Sequence, residues 1–382
     1  MKKQVFVAFL FFSFVSCHSS QRISHSDNSE TIHSLKWLGK YELPHNLSYK
    51  GTTVGGLSGI DYDKENNCYY LISDDRSAIQ PARFYTARIY FQEGGLDSVA
   101  LINVTTLLQS SDKPYPNSIQ DPAHTPDPEA IRYNPVLKRM VWSSEGERIV
   151  NPGKTVLENP AITEITPDGK YIDSFPLPAN LHMQAVEKGP RQNGVLEGLS
   201  YADNFKTLYV NVEEPLYEDG PRAETKPNDA WIRIYQYTAA GKKNTAQYAY
   251  HLDPVAYPAI PEKAFKINGV PDILAFGNRQ LIVMERSFST GRLPCTIKLF
   301  LTDLRNASDI SHIASLRDNP PVKPATKKLL LNLDSLGTYV DNLEGMTFGP
   351  DLPNGHKTLI LVADNNFSAF EKTQFFLFEV IP

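Results

Sequence analysis

The sequence predicts an all-β fold, a β-propeller of five four-stranded blades in one domain, closed by pairing of the N- and C-terminal strands. Three observations carry this expectation. Twenty-eight prolines and twenty-two glycines are spread along 382 residues rather than clustered, a punctuation that suits many short strands and suits long helices poorly. A strand-like motif recurs five times, as LSGIDYD (57–63), PEAIRYN (128–134), LEGLSYA (196–202), PDILAFG (271–277) and LEGMTFG (343–349). Ser58, Glu129, Glu197, Asp272 and Glu344 thereby fall in one column at spacings of 71, 68, 75 and 72 residues, the mark of stacked units rather than unrelated domains. Finally, every unit reads as four strands except the last, which reads as three, while one unassigned strand stands at the other end of the chain.

Taken in order, the chain opens with MKKQVFVAFLFFSFVSCHSS, in which Lys2 and Lys3 precede an apolar run from Val5 to Val15. That run is too short to span a bilayer as a mature helix and reads as an export signal. The ending FVSC resembles a bacterial lipobox, with Phe14 where leucine is usual. Residues 1–17 are then a lipoprotein-type signal ending at a lipidated Cys17, the other reading being an ordinary secretory signal cut nearby. Residues 18–33, rich in Ser and Asn, read as a flexible tether, and residues 34–382 as the folded body, beginning with the spare strand SLKWLGKYELP.

Each column motif is followed by a second strand: CYYLISDD, RMVWSSEGE, TLYVNVEEP, QLIVMERS and TLILVADNN. Third and fourth strands follow in the first four units, as ARFYTARIYF with VALINVTTL, PAITEITP with YIDSFPLP, WIRIYQYTA with AQYAYHL, and TIKLFLTDL with KKLLLNLD. These segments are β-rich and bounded by turn residues. The fifth unit ends with TQFFLFEVIP, so the spare first strand completes its sheet and leaves only short, protected edges. A count of six blades stays open, because the loops at 109–128, 214–230, 254–270 and 309–325 are long enough to hide strands.

Composition excludes some classes. Hydrophobic residues are 41%, aromatics 11% and charged residues 21%, which is a globular profile rather than a disordered one. The net charge of -5 offers no broad basic surface for a nucleic-acid backbone. Cys68 and Cys295 both sit in apolar strand-like runs and read as buried free thiols, with a disulfide open as the alternative for an exported chain. The sequence has neither Cys-x-x-Cys nor His-Glu-x-x-His, so a familiar zinc site has no support.

The second strands end on acids: Asp74, Glu145, Glu213, Glu285 and Asp364 lie 16, 16, 16, 13 and 20 residues after the first column. In a propeller these positions make two circles of carboxylates around one mouth of the central channel. Like charges at such range oppose one another by several kcal/mol each, so something positive belongs among them. Arg76, Arg148 and Arg286 follow the second-column acids and can pair with them. A hard cation is the other candidate, since calcium takes six to eight oxygens in flexible geometry. The bland reading is that the acids accept backbone hydrogen bonds between blades, as repeated residues in repeat proteins commonly do. GGLSGI resembles a nucleophile elbow only briefly, because Ile60 occupies its last position and a strand follows; Ser58 reads as a turn residue.

Together, GGLSGIDYD, DPEAIRY, WSSEGE, LEGLSY, LYVNVEEPL, VPDILAF, IVMERSF, NLEGMTF and LILVADNNF resemble the phytase-like esterase domain family of exported bacterial β-propellers. The resemblance runs from about residue 35 to the C-terminus. It implies hydrolysis of a phosphoric or carboxylic ester, with calcium as the cofactor. On that reading Asp74, Glu145, Glu213, Glu285 and Asp364 hold the metal. Glu129, Glu197 or Glu344 receives a proton, and Arg76, Arg148 and Arg286, with Arg292 as a further candidate, hold phosphate oxygens. The expected protein is a monomer in the cell envelope, bound to the membrane only through its lipid, periplasmic or surface-exposed, acting on a small ester or phosphoester. Two alternatives stand beside this. One is a non-catalytic propeller presenting Tyr115, Tyr217, Trp231 and Tyr257 to a glycan, peptide or envelope partner. The other is a calcium-dependent lactonase, a group whose EG and DNN strand signatures are similar but whose members usually have six blades.

Overall fold

The innermost strands of five antiparallel sheets, Leu57–Asp63, Pro128–Asn134, Leu196–Ala202, Lys266–Ala275 and Asn342–Phe348, touch one another in that cyclic order around a channel. Each sheet has four strands, so the blade count is five. The computed structural model describes residues 1, 31–92 and 95–382; Cys17, the rest of the leader after Met1 and the tether up to residue 30 lie outside the described residues. Blades 1 to 4 each run outward in chain order, whereas blade 5 consists of Asn342–Phe348, Thr358–Asp364, Gln374–Ile381 and Ser34–Glu42. The last pair closes the ring, running from Ser34 opposite Ile381 to Glu42 opposite Gln374 with one break in register between Trp37 and Gly39. The pairing extends past Ser34, since His33 donates its N–H to Ile381 O and Ile32 is buried.

Two hairpins stand outside the blades, Ser48–Tyr49 with Thr52–Thr53 and Glu147–Asn151 with Lys154–Glu158. The long loops hold no sixth sheet among the described residues. Apolar clusters fill the spaces between successive blades: Leu199, Val210 and Tyr235 with Ile273 between blades 3 and 4, and Met346 and Leu361 with Ile282 between blades 4 and 5. Cys68 and Cys295 are free and buried in separate clusters.

Convergence at the axis requires small residues. A Cβ on Gly59 would lie 2.6 Å from Glu129 O, and one on Gly345 would lie 2.9 Å from Gly59 Cα. Each inner strand also breaks register with its neighbour near its mouth end, at Leu57/Gly59, Pro128/Ile131, Leu196/Leu199, Gly269/Asp272 and Leu343/Gly345. A bulge of this kind re-aims a side chain, and here it sits beside the column acids in blades 2, 3 and 5.

Candidate functional site

The mouth beside these bulges opens into a cavity of about 800 Å³ lined by eleven carboxylates and four arginines. Blade 2 supplies the densest part. Asp127 precedes the inner strand, Glu129 occupies its bulge, and Glu145 follows the second strand. One oxygen from each of Asp127, Glu129 and Glu145 lies within 4.8 Å of the others. Glu145 Oε1 accepts the Val195 N–H at 2.5 Å, which ties the cluster to blade 3.

Burial costs the charged form of a carboxylate, and neighbouring negative charge adds to that cost. Burial, then the charge of Glu213, pushes Glu145 up to about 7, against which a hydrogen bond with Glu197 works. Burial and then Glu197 raise Glu129 well above its ordinary range, and burial and then Glu145 do the same to Glu197. Asp127 is likewise raised by burial, although Arg76 opposes the shift. On the blade 1 and 5 side, Asp74 is raised by burial and the charge of Glu344, and Asp364 by burial and the charge of Asp74.

The cation at the centre is Arg286. Its Nη2 donates to Glu213 Oε1 at 2.6 Å, and its Nη1 donates to Glu344 and to Asn342. The other lining arginines are turned to the protein itself. Arg148 donates to the carbonyls of Gln184, Ala185 and Val186, Arg191 to those of Pro215 and Gly220, and Arg222 pairs with Glu214 at 2.8 Å. The Tyr217 ring lies between Arg148 and Arg191, at 5.1 and 4.4 Å.

Of the residues expected from sequence, Asp74, Glu129, Glu145, Glu197, Glu213, Glu344, Arg148 and Arg286 line one cavity, and Asp364 is buried against Asp74. Glu285 does not join them. It lies inside a strand that continues to Ser289, and side chains alternate along a strand, so the mouth receives Arg286 while Glu285 bonds Tyr250, Asn268 and Lys327 on the other face. Arg76 also stands outside the cavity lining, bonded to Glu147 at 2.7 Å and 3.5 Å from Asp127. Arg292 donates to Pro258 O over the Tyr257 ring. Asp272 lies off the cavity, pairing with Arg132 Nη2 at 2.8 and 2.9 Å within the channel. Asp127, Glu214 and Asn342 were not anticipated. The signal for Asp127 was available in the run DPE at 127–129.

The family described as phytase-like, esterase-like activity of phytase, matches residues 52–367. The chain belongs to this phytase-like family. Among solved structures, this phytase-like propeller is similar to the periplasmic gluconolactonase of Pseudomonas aeruginosa, at 12% identity and a TM-score of 0.37, covering 87% of this chain and 90% of that one. It is also similar to a gluconolactonase of Xanthomonas campestris, at 9% identity and a TM-score of 0.35, covering 84% and 71%. The Dos1 propeller matches at 6% identity and a TM-score of 0.30, covering 84% and 67%. No curated protein matches the phytase-like chain.

The donor set around Glu129 fits a hard divalent cation. It is made of carboxylate oxygens alone, with no thiolate or imidazole in the cluster, and the nearest guanidinium is that of Arg76, 3.5 Å from Asp127. Such donors suit calcium, which accepts oxygen ligands in irregular arrangements.

Proposed function

We propose that this mouth is the active site of a calcium-dependent ester hydrolase, with Asp127, Glu129 and Glu145 as the residues that hold the cation. The observation that carries the reading is the approach of three carboxylate oxygens to within 4.8 Å of one another on the wall of a cavity large enough for a small molecule. When bound, the cation supplies positive charge opposite the negative charge that develops as an ester is attacked.

The chain's own groups supply the remainder. Glu197 lies beside Glu145 and has its carboxyl raised well above the ordinary range by burial and then by Glu145, a shift that favours the protonated form from which a general acid acts. Arg286 fixes the orientation of Glu213 and Glu344. Arg148 and Arg191 clamp Tyr217 and the segments around it into a wall. Both spend Nε and Nη2 on backbone carbonyls of the protein itself.

The test is hydrolysis of p-nitrophenyl acetate and p-nitrophenyl phosphate by chelator-stripped protein, with and without added calcium. Turnover of at least one ester should require calcium and fall about 10² to 10⁴-fold in Glu197→Gln. Calcium-independent turnover, or no turnover of either ester, would remove the assignment. We further propose, from the leader ending in FVSC at 14–17, that the domain is tethered in the bacterial cell envelope by a lipid on Cys17; a Cys17→Ala chain should then leave the membrane fraction.

A further inference from the structure

Blade 4 differs from the other four at the mouth. Its first two strands, Lys266–Ala275 and Gln280–Ser289, have ten residues each, whereas the inner strands of the other blades have seven and their second strands six or seven. The extra length lies at the mouth end, where Lys266 pairs with Ser289 and Ile267 with Phe288. Three residues of strand reach about 10 Å, so this hairpin stands as a raised wall. Thr290 prolongs it by donating its N–H to Phe265 O at 3.0 Å.

The wall is apolar where the rest of the mouth is acidic. Phe265, Ile267, Phe288, Leu293 and Cys295 all face the cavity, and the Phe265 and Phe288 rings lie 6.2 Å apart. Phe265 is 53% exposed and Leu293 71%, so neither is needed to complete a core. The carboxylates of Asp127, Glu129 and Glu145 come from blade 2, another part of the ring. A ligand seated here meets charge on one side and hydrocarbon on the other. A highly phosphorylated compound would face eleven carboxylates, while each of the four lining arginines already bonds oxygens of the protein itself.

We infer that the substrate is an amphipathic ester: a neutral or singly charged ester group held on the acidic side, joined to an alkyl or aromatic group that lies against Phe265, Phe288 and Leu293. This rests on the mouth being the active site. Each methylene buried against this wall strengthens binding, so chain length is the property the site reads.

The experiment compares two neutral amides that mimic the ester without its lability, N-hexylacetamide and N-methylacetamide, titrated into the full chain and followed by ligand-observed NMR. The hexyl compound should bind at least about tenfold more tightly. That advantage should shrink about three- to tenfold in Phe265→Ala and in Leu293→Ala, and persist in Val322→Ala, whose side chain is exposed away from the cavity. Equal binding of the two amides, no binding of either, or an advantage that survives both wall variants would overturn the inference. Hydrolysis of p-nitrophenyl acetate and p-nitrophenyl phosphate is scored separately: absence of both defeats the hydrolase reading, while the amide comparison still decides whether the wall selects hydrocarbon.

Discussion

Arg286 donates from Nη2 to Glu213 Oε1 at 2.6 Å while its Nη1 reaches Glu344, so one guanidinium from blade 4 joins the second strand end of blade 3 to the inner strand of blade 5. Removing one partner of a buried ion pair leaves the other charge without compensation, at a cost of about 3–5 kcal/mol. Arg286→Met should therefore lose about that much stability in urea unfolding at pH 8, with Arg286→Lys recovering part of it. Unaltered midpoints for Arg286→Met would show that the pair contributes nothing.

The metal-free protein should lose stability as pH rises from about 5 to 8. Burial, reinforced by neighbouring acids, raises the carboxyls of Asp74, Glu129, Glu197 and Asp364 well above their ordinary range, and Glu145 to about 7. An acid whose folded pKa exceeds its unfolded value contributes stability that is complete below the unfolded pKa and lost as pH rises through the folded one. For Glu145 alone, a rise from 4.5 to about 7 corresponds to about 3 kcal/mol. Glu42 behaves oppositely. Burial raises it, but hydrogen bonds from Lys372, Gln374 and Lys40 prevail and hold it at about 2, so its contribution disappears only as pH falls towards that value. Thermal melts across pH 4 to 9 should peak on the acid side, and excess calcium should flatten the alkaline decline. A metal-free melting temperature that climbs between pH 5 and 8 contradicts this account.

Glu285 and Glu145 should separate structure from binding. Glu285 accepts from Lys327 Nζ at 2.6 Å, Tyr250 Oη at 2.7 Å and Asn268 Nδ2 at 2.7 Å, so Glu285→Gln should lower stability by about 2–4 kcal/mol and leave calcium affinity unchanged. Glu145→Gln should do the reverse at pH 8, weakening calcium binding while relieving repulsion from Glu213. Calorimetric titration with calcium, paired with urea unfolding, reads both variants; loss of calcium affinity in Glu285→Gln would return that residue to the metal site.

The repeat made the ring legible because a propeller must present equivalent positions at one mouth, and Glu129, Glu197 and Glu344 occupy them. The terminal closure was legible from a strand count. What escaped were features set by strand length and by partners far apart in the chain. Glu285 had its warning in a spacing of 13 rather than 16, but the turn to the opposite face follows from a strand that runs on to Ser289. Arg148 follows a column acid as Arg286 does, yet its donors go to the carbonyls of residues 184–186, which side-chain chemistry in the sequence does not reveal. The Arg132 and Asp272 pair spans 140 residues and has no local signature.

The close approach of blades 3 and 4 at Gly198 offers a last prediction. A Cβ on Gly198 would meet Asn211 Oδ1 at 2.4 Å, Ile273 N at 2.7 Å and Asp272 Cα at 2.8 Å. Asn211 has little freedom to withdraw, because its Nδ2 donates to Val270 O at 2.7 Å and so links blade 3 to blade 4. The backbone at Asp272 is held too, its carboxylate accepting from Arg132 and from the Met346 N–H. Overpacking of this kind costs about 1–3 kcal/mol, and here the contacts are mainly with backbone, so Gly198→Ala should fall at the upper end of that range. Ala130 holds the matching motif position in blade 2, so Ala130→Gly should have a much smaller effect. Urea midpoints measured for both variants test the geometry directly: if Gly198→Ala unfolded at the wild-type midpoint, blades 3 and 4 could not approach as closely as the ring requires.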